Sequence, residues 1–253
     1  MLDLTLHNSQ LDGETFTYPG GSEGLLLLHG FTATTAEVRL LADYLRPFGY
    51  TISAPLLPGH GTSVLDLQET TWDKWTTFVE GAYQDLAGKC EKVAVAGESM
   101  GGLLALYLAS QYPDIASIVA FAPAVKVRRL WSAQFIRFFT GFSAKKNMDD
   151  GLPWKGYKYN PLKAGTELYK FQHYMNDKFI NIHQPVAIFL GGKDATIDNQ
   201  AAEHAFHQLS STKKSLTYYQ NSSHCMILDR DWRDIARDTK IHLELGFHPD
   251  KTL

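Results

Sequence analysis

Gly24-Leu-Leu-Leu-Leu28 is the segment that most restricts the fold. A strand sends successive side chains to opposite faces, so four consecutive leucines leave no polar face for water. Such a run needs a sheet covered on both sides, the habit of parallel sheets whose crossovers are helices. The rest of the chain supplies that rhythm. Thr34 to Phe48 carries apolar residues at Val38, Leu41, Leu45 and Phe48, which is helical spacing, and Gly49 stands where a C-cap belongs. Tyr50 to Ala54 reads as a strand stopped by Pro55, and Leu57 to Gly61 as a Pro/Gly loop. A helix over Trp72 to Ala87 has an inner face of Trp75, Phe78, Val79 and Ala82, so Trp72 and Trp75 belong to the core. Lys92 to Ala96, Met100 to Gln111 and Ile115 to Phe121 follow as strand, helix and strand. The alternation implies an α/β fold: a mostly parallel sheet, right-handed crossovers and helices on both faces.

The rhythm lapses after Pro123. Val125 to about Phe179 holds aromatics, a basic pair at Lys145-Lys146, and Gly and Pro at Gly151, Pro153, Gly156 and Pro161. It is expected to be a partly helical insertion over the sheet edge. Phe135, Phe138, Phe139 and Phe142 would line a greasy helix face there, either packing on the main domain or binding an acyl chain. The alternation resumes with a strand at Pro185 to Leu190, a helix at Asn199 to Leu209, a strand at Lys214 to Tyr219 and a last helix from Asp229 to Leu245.

Composition excludes several classes. The chain has 253 residues, 44% of them hydrophobic, enough for one domain across residues 1–253 with a sizeable core. Its 27 acidic against 24 Lys and Arg residues give a formal charge of -3, which provides no general attraction for nucleic acid. The two cysteines, Cys90 and Cys225, make neither a disulfide scaffold nor a zinc cluster and are expected to be buried thiols in a reducing compartment. Met1 to Gln10 lacks the basic head and apolar run of a signal peptide, so the expected location is cytoplasmic. No apolar run is long enough to span a bilayer. Neither a Walker loop nor a dinucleotide fingerprint occurs, and no cofactor or metal is expected.

Gly97-Glu-Ser-Met-Gly101 carries the chemistry. It joins a predicted strand to a predicted helix and matches Gly-x-Ser-x-Gly. Small residues at both flanks let a sharp turn close, which lifts the Ser99 hydroxyl above the sheet. The turn also aims the Met100 amide, at a helix N-terminus, toward developing negative charge. His29-Gly30-Phe31-Thr32 leaves the first strong strand at the same edge, where Phe31 N–H is the natural second donor and His29 braces the loop. A serine hydroxyl needs a base. Of ten histidines, His224 follows the last strand in Asn221-Ser-Ser-His224 and can reach back over the sheet. His204 and His207 could share a helix face but lack a third metal ligand. The orienting acid should end a strand between Ser99 and His224. Asp194 in Gly191-Gly-Lys-Asp194 does so, with Asp198 its rival. Glu98 reads as a hydrogen-bonding loop residue, and Met100 as part of the pocket wall.

With these residues the chain resembles the α/β-hydrolase superfamily, and within it the small bacterial carboxylesterases and monoacylglycerol lipases. The resemblance runs through His29-Gly-Phe-Thr32, Ala54-Pro-Leu-Leu-Pro-Gly-His-Gly-Thr62, Gly97-Glu-Ser-Met-Gly-Gly102, Gly191-Gly-Lys-Asp194 and Ser223-His224. It implies an α/β-hydrolase fold with a small cap at residues 123–179. It implies a triad of Ser99, Asp194 and His224, with Phe31 and Met100 as oxyanion donors. The activity implied is that of a serine carboxylesterase cleaving esters of short to medium acyl chains through an acyl-enzyme. The alternative is a monoacylglycerol lipase acting on medium to long chains. The expected partner is a small ester substrate, with oligomeric state left open. The insertion offers no clear carboxylate pair for a peptide amine, which disfavours a peptidase. A non-catalytic binding module is disfavoured because every triad residue type is present in order.

Overall fold

The computed structural model describes residues 4–145 and 151–249. Lys146 of the basic pair and the first three residues lie outside them. β1 (Leu6–His7) belongs to a small side pair. The main sheet starts with β2 (Phe16–Tyr18) and β3 (Glu23–Leu28), followed by α1 (Ala36–Leu45) and β4 (Thr51–Ala54). Next come α2 (Val64–Gln68), α3 (Trp72–Ala87), β5 (Lys92–Glu98), α4 (Met100–Gln111) and β6 (Ile118–Phe121). The chain then leaves the sheet through α5 (Ala133–Ile136), β7 (Phe142–Ala144), β8 (Gly156–Tyr157), β9 (Tyr159–Pro161) and α6 (Leu162–Met175). It returns with β10 (Val186–Gly191), α7 (Asn199–Gln208), β11 (Lys214–Tyr219) and α8 (Trp232–Phe247).

Seven strands form one sheet in the order β11-β10-β6-β5-β3-β4-β2. All neighbours run parallel except β2, which pairs antiparallel with β4 at the edge. Leu25 to Leu28 are fully buried, as an all-leucine strand requires. α1 packs with α8, and α3 with α4 and α6, giving the two helical layers. α4 is buried from Met100 through Ala109 because it lies between the sheet and the α3/α6 layer.

The strand order positions the site. From β3 the chain crosses to β4 on one side, then returns to β5 on the other. Loops leaving β3 and β5 at their C-terminal ends therefore diverge and leave a crevice, where ligands bind in open α/β sheets. Leu28 is in register with Gly97, which sets His29 to Thr32 beside Ser99.

Several expectations needed correction. β5 continues to Glu98, two residues past the expected end, and β6 starts three residues later than expected. Helix α1 gives way at Arg46 to a 3-10 turn, closed by Gly49 at φ 87°. The greasy helix face at Phe135, Phe138 and Phe139 does not form. α5 is a single turn, and these side chains are 62%, 75% and 91% exposed, so they neither pack on the domain nor line an enclosed acyl site. Cys90 is buried as expected, but Cys225 is only partly so, and the two do not form a disulfide with each other.

Candidate active site

Ser99 is the one residue between the end of β5 and the start of α4. Its backbone sits at φ 55°, ψ -113°, a conformation costing about 1–3 kcal/mol for a residue with a side chain. Three backbone hydrogen bonds hold it there. Ser99 N–H donates to Phe121 O at 2.9 Å, and Ser99 O accepts from Leu103 and Ala124 at 3.1 and 2.9 Å. The glycines are steric necessities. A Cβ on Gly97 would lie 2.4 Å from the Gly101 carbonyl carbon, and one on Gly101 would lie 2.1 Å from Leu28 O. Only glycine lets α4 cross β3 and β5 this closely.

Asp194 lies three residues beyond β10. Its Oδ1 accepts the amides of Thr196 and Ile197 at 2.7 and 3.1 Å, which fixes the carboxylate plane. Oδ2 is then directed at His224 Nδ1, 2.7 Å away, and His224 Nε2 is 2.9 Å from Ser99 Oγ. The Asp194 side chain is completely buried, while that of His224 retains 19% exposure. Burial alone would raise the Asp194 pKa. The His224 ring and the two amides outweigh it and hold the carboxyl below its ordinary value. The rival Asp198 instead pairs through its carboxylate with Lys126 at 2.9 Å, and its main-chain carbonyl accepts from Ala201 N–H as α7 begins.

The histidine loop is tied down by two aspartates that sequence reasoning passed over. Asp229 Oδ2 accepts both the Ser223 amide and hydroxyl, at 2.7 and 2.6 Å. Asp231 accepts the Asn221 amide and the Ser222 hydroxyl. The available signal was serines followed at short range by aspartates, a turn pattern. Gly191 lets the loop close on β10, since a Cβ there would lie 2.4 Å from Ser223 O.

On the opposite wall, His29 is fully buried, accepts Leu57 N–H on Nε2 at 3.0 Å and donates from Nδ1 to Gly30 O at 2.9 Å. Burial lowers its pKa to about 4, so the ring is a neutral brace, as the sequence implied. Thr32, at φ 67°, is strained for a β-branched residue. Its carbonyl accepts Tyr157 N–H at 2.9 Å, joining the loop to β8. A Cβ on Gly156 would meet that carbonyl at 2.2 Å. Among the described residues, neither Phe31 N–H nor Met100 N–H donates to a protein acceptor. The constellation sets His224 Nε2 where it can take the Ser99 proton. The Met100 side chain is fully buried in the core rather than in a pocket wall.

Among the described residues, no three His, Cys, Asp or Glu side chains gather as for a metal. His204 and His207 are exposed on α7. A cavity of about 1080 Å³ lies between residues 125–131, α6 and α7. Ala195, next to Asp194, lines it, whereas Ser99 does not.

The profile of the Hydrolase_4 family, described as serine aminopeptidase S33, matches residues 22–152 and 153–231. The chain belongs to that family. It is 34% identical over 224 residues to the thermostable monoacylglycerol lipase of Bacillus sp. (strain H-257), covering 86% of this chain and 89% of that one. It is 28% identical over 234 residues to the carboxylesterase of Bacillus subtilis (strain 168), covering 90% and 95%. A solved structure from two metagenome-derived lipolytic enzymes, LipS and LipT, superposes with a TM-score of 0.87 at 26% identity, covering 92% of this chain and 97% of that one. The chain is therefore an S33-family α/β hydrolase of the esterase and monoacylglycerol lipase type.

Two further carboxyls lie beneath the S33 site. Glu37 Oε2 accepts Gly30 N–H at 2.6 Å, and its Oε1 is 3.9 Å from the Cys225 thiol, so Glu37 links the loops that carry Phe31 and His224. Burial raises its pKa against the opposing pull of Gly30 N–H and His224. Glu98 is not a loop residue: it ends β5, is fully buried, and neither oxygen makes a well-formed hydrogen bond. Burial and the Glu37 charge push its pKa well above 4.5, against the pull of the Met226 and Ile227 amides. Both carboxyls are thus biased toward the protonated form relative to a free glutamate, Glu98 more strongly than Glu37.

The sign of the Glu98 effect on stability follows. The unfolded carboxyl ionises near 4.5 and the folded one far higher. Between those values the folded state binds more protons, so stability falls as pH rises. Glu98→Gln removes this dependence. Its melting temperature relative to the parent is expected to be higher at pH 8 than at pH 4. Thermal unfolding at both values checks this, and an equal offset at both would contradict a raised Glu98 pKa.

Proposed function

We propose that this hydrolase is a serine carboxylesterase that cleaves esters of short to medium acyl chains through an acyl-enzyme. The observation that carries the reading is the continuous chain from Asp194 through His224 to Ser99, with contacts of 2.7 and 2.9 Å, at a strained strand-to-helix turn. His224 Nε2 takes the Ser99 proton as Oγ bonds to the ester carbon. The carbonyl oxygen becomes an oxyanion held by Phe31 N–H and Met100 N–H, with the N-terminus of α4 adding its dipole. Collapse breaks the bond to the alcohol, which leaves with the proton from His224. Water then attacks the acyl carbon and gives a proton to His224 Nε2; the bond from Ser99 Oγ to the acyl carbon breaks, Oγ takes that proton back, and the acid is released. Asp194 holds the tautomer with Nε2 unprotonated and stabilises the ring when charged. No step calls for a cofactor.

In this reading residues 123–179 form a cap. One contact supports it: Tyr157 N–H donates to Thr32 O at 2.9 Å, joining the cap to the oxyanion loop. Two cysteines that form no disulfide with each other suit a reducing compartment, in accord with a cytoplasmic location. Among the described residues no helix is long and apolar enough to cross a membrane.

A monoacylglycerol lipase is the second reading, favoured by the 34% identity to the Bacillus enzyme of that name. The two readings differ in hydrolysis rate against acyl length, measured on p-nitrophenyl esters from acetate to palmitate and on monoacylglycerols. The carboxylesterase is expected to peak at short or medium chains and to turn over monoacylglycerols poorly. A maximum at long chains with efficient monoacylglycerol cleavage would replace it with the lipase.

A further inference from the structure

Charge in this chain is divided very unevenly. Between Asp114 and Asp149 the sequence contains Lys126, Arg128, Arg129, Arg137, Lys145 and Lys146 and not one Asp or Glu. That segment carries +6 in a chain of net -3, so the remainder carries -9. The same segment holds the most exposed aromatics of the described residues. Trp131 is 57% exposed, Phe138 75% and Phe139 91%, with Phe135 beside Trp131 at a ring separation of 6.2 Å. Arg137 lies over the exposed Phe138 ring at 5.1 Å, so a cation is packed against the aromatic surface. Contiguous exposed apolar surface of this kind marks a contact site rather than ordinary surface.

We propose that the knuckle at residues 128–139 docks this protein on an anionic lipid surface. Aromatic rings suit the boundary between headgroups and acyl chains, and flanking arginines suit lipid phosphates. A second copy of the chain fits less well. A two-fold pairing through this knuckle would set Arg128, Arg129 and Arg137 of both copies against each other. The -9 remainder keeps the rest of the molecule off the same membrane, which orients it with the knuckle down. The inference rests on surface chemistry and stands independently of the ester reading.

The test is cosedimentation of the full chain with vesicles of equimolar phosphatidylglycerol and phosphatidylcholine, and with vesicles of phosphatidylcholine alone. The expected result is binding to the anionic vesicles that weakens with added salt, and little binding to the neutral ones. Phe138→Ser with Phe139→Ser is expected to weaken vesicle binding by about tenfold or more. Its melting temperature and circular dichroism spectrum should be unchanged, which reports an intact fold. Parent protein that stays in the supernatant, or a double variant that binds equally, would overturn the proposal. A dimer in sedimentation velocity that the double substitution dissociates, without vesicle binding, would assign the face to a second copy instead.

Discussion

Ser99→Ala is expected to lower kcat for p-nitrophenyl ester hydrolysis by about a millionfold, the scale on which losing the nucleophile acts in a Ser-His-Asp site. The Oγ lost is the atom 2.9 Å from His224 Nε2. Alanine keeps the same Cβ, so the strained turn at φ 55° and its three backbone hydrogen bonds are retained. The variant should therefore fold and melt like the parent, and the loss should fall on kcat rather than KM. A fluorophosphonate should add its mass to the parent and not to the variant. Combining Ser99→Ala with His224→Ala should lose little more, because a base without its nucleophile has no proton to take. Turnover by the single variant within tenfold of the parent, or undiminished labelling, would remove Ser99 from its proposed role.

What the sequence disclosed follows from where each constraint acts. The serine turn was legible because its requirement is local: Gly97 and Gly101 must lack a Cβ within one strand-to-helix turn, and both are written in five residues. Asp194 was distinguishable from Asp198 because distance from a strand end is a local quantity too. His29 read correctly as a brace because its loop position was visible. Contacts between distant segments were not legible. Tyr157 meets Thr32, Glu37 joins Gly30 to Cys225, and Phe16–Tyr18 closes the sheet edge antiparallel to β4. None has a periodic signature. Glu98 was misread for a related reason: a carboxyl on a buried strand runs against burial statistics, and only the fold shows Glu37 beside it. The phenylalanines of residues 135–139 misled most. Their number suggested a buried helix face, but one helical turn in a basic segment leaves them in solvent.

Asp194→Asn is the second large effect expected, and its size follows from two backbone amides. Thr196 N–H and Ile197 N–H both point at Oδ1, so that position must be filled by an acceptor. In the asparagine variant the amide oxygen takes it, and the NH2 group is left facing His224 Nδ1, 2.7 Å away. A donor there favours the tautomer with its proton on Nε2. That nitrogen then donates toward Ser99 Oγ instead of accepting from it, and the base is lost with the geometry intact. The expected fall in kcat is about ten-thousandfold, the scale seen when a triad aspartate is made neutral. Asp198→Asn is the control that decides between the two acids. It breaks only the partly exposed contact with Lys126, so its activity should stay within a few-fold of the parent. Fluorophosphonate labelling should be slow in Asp194→Asn and normal in Asp198→Asn. The opposite ranking would move the orienting carboxylate to Asp198.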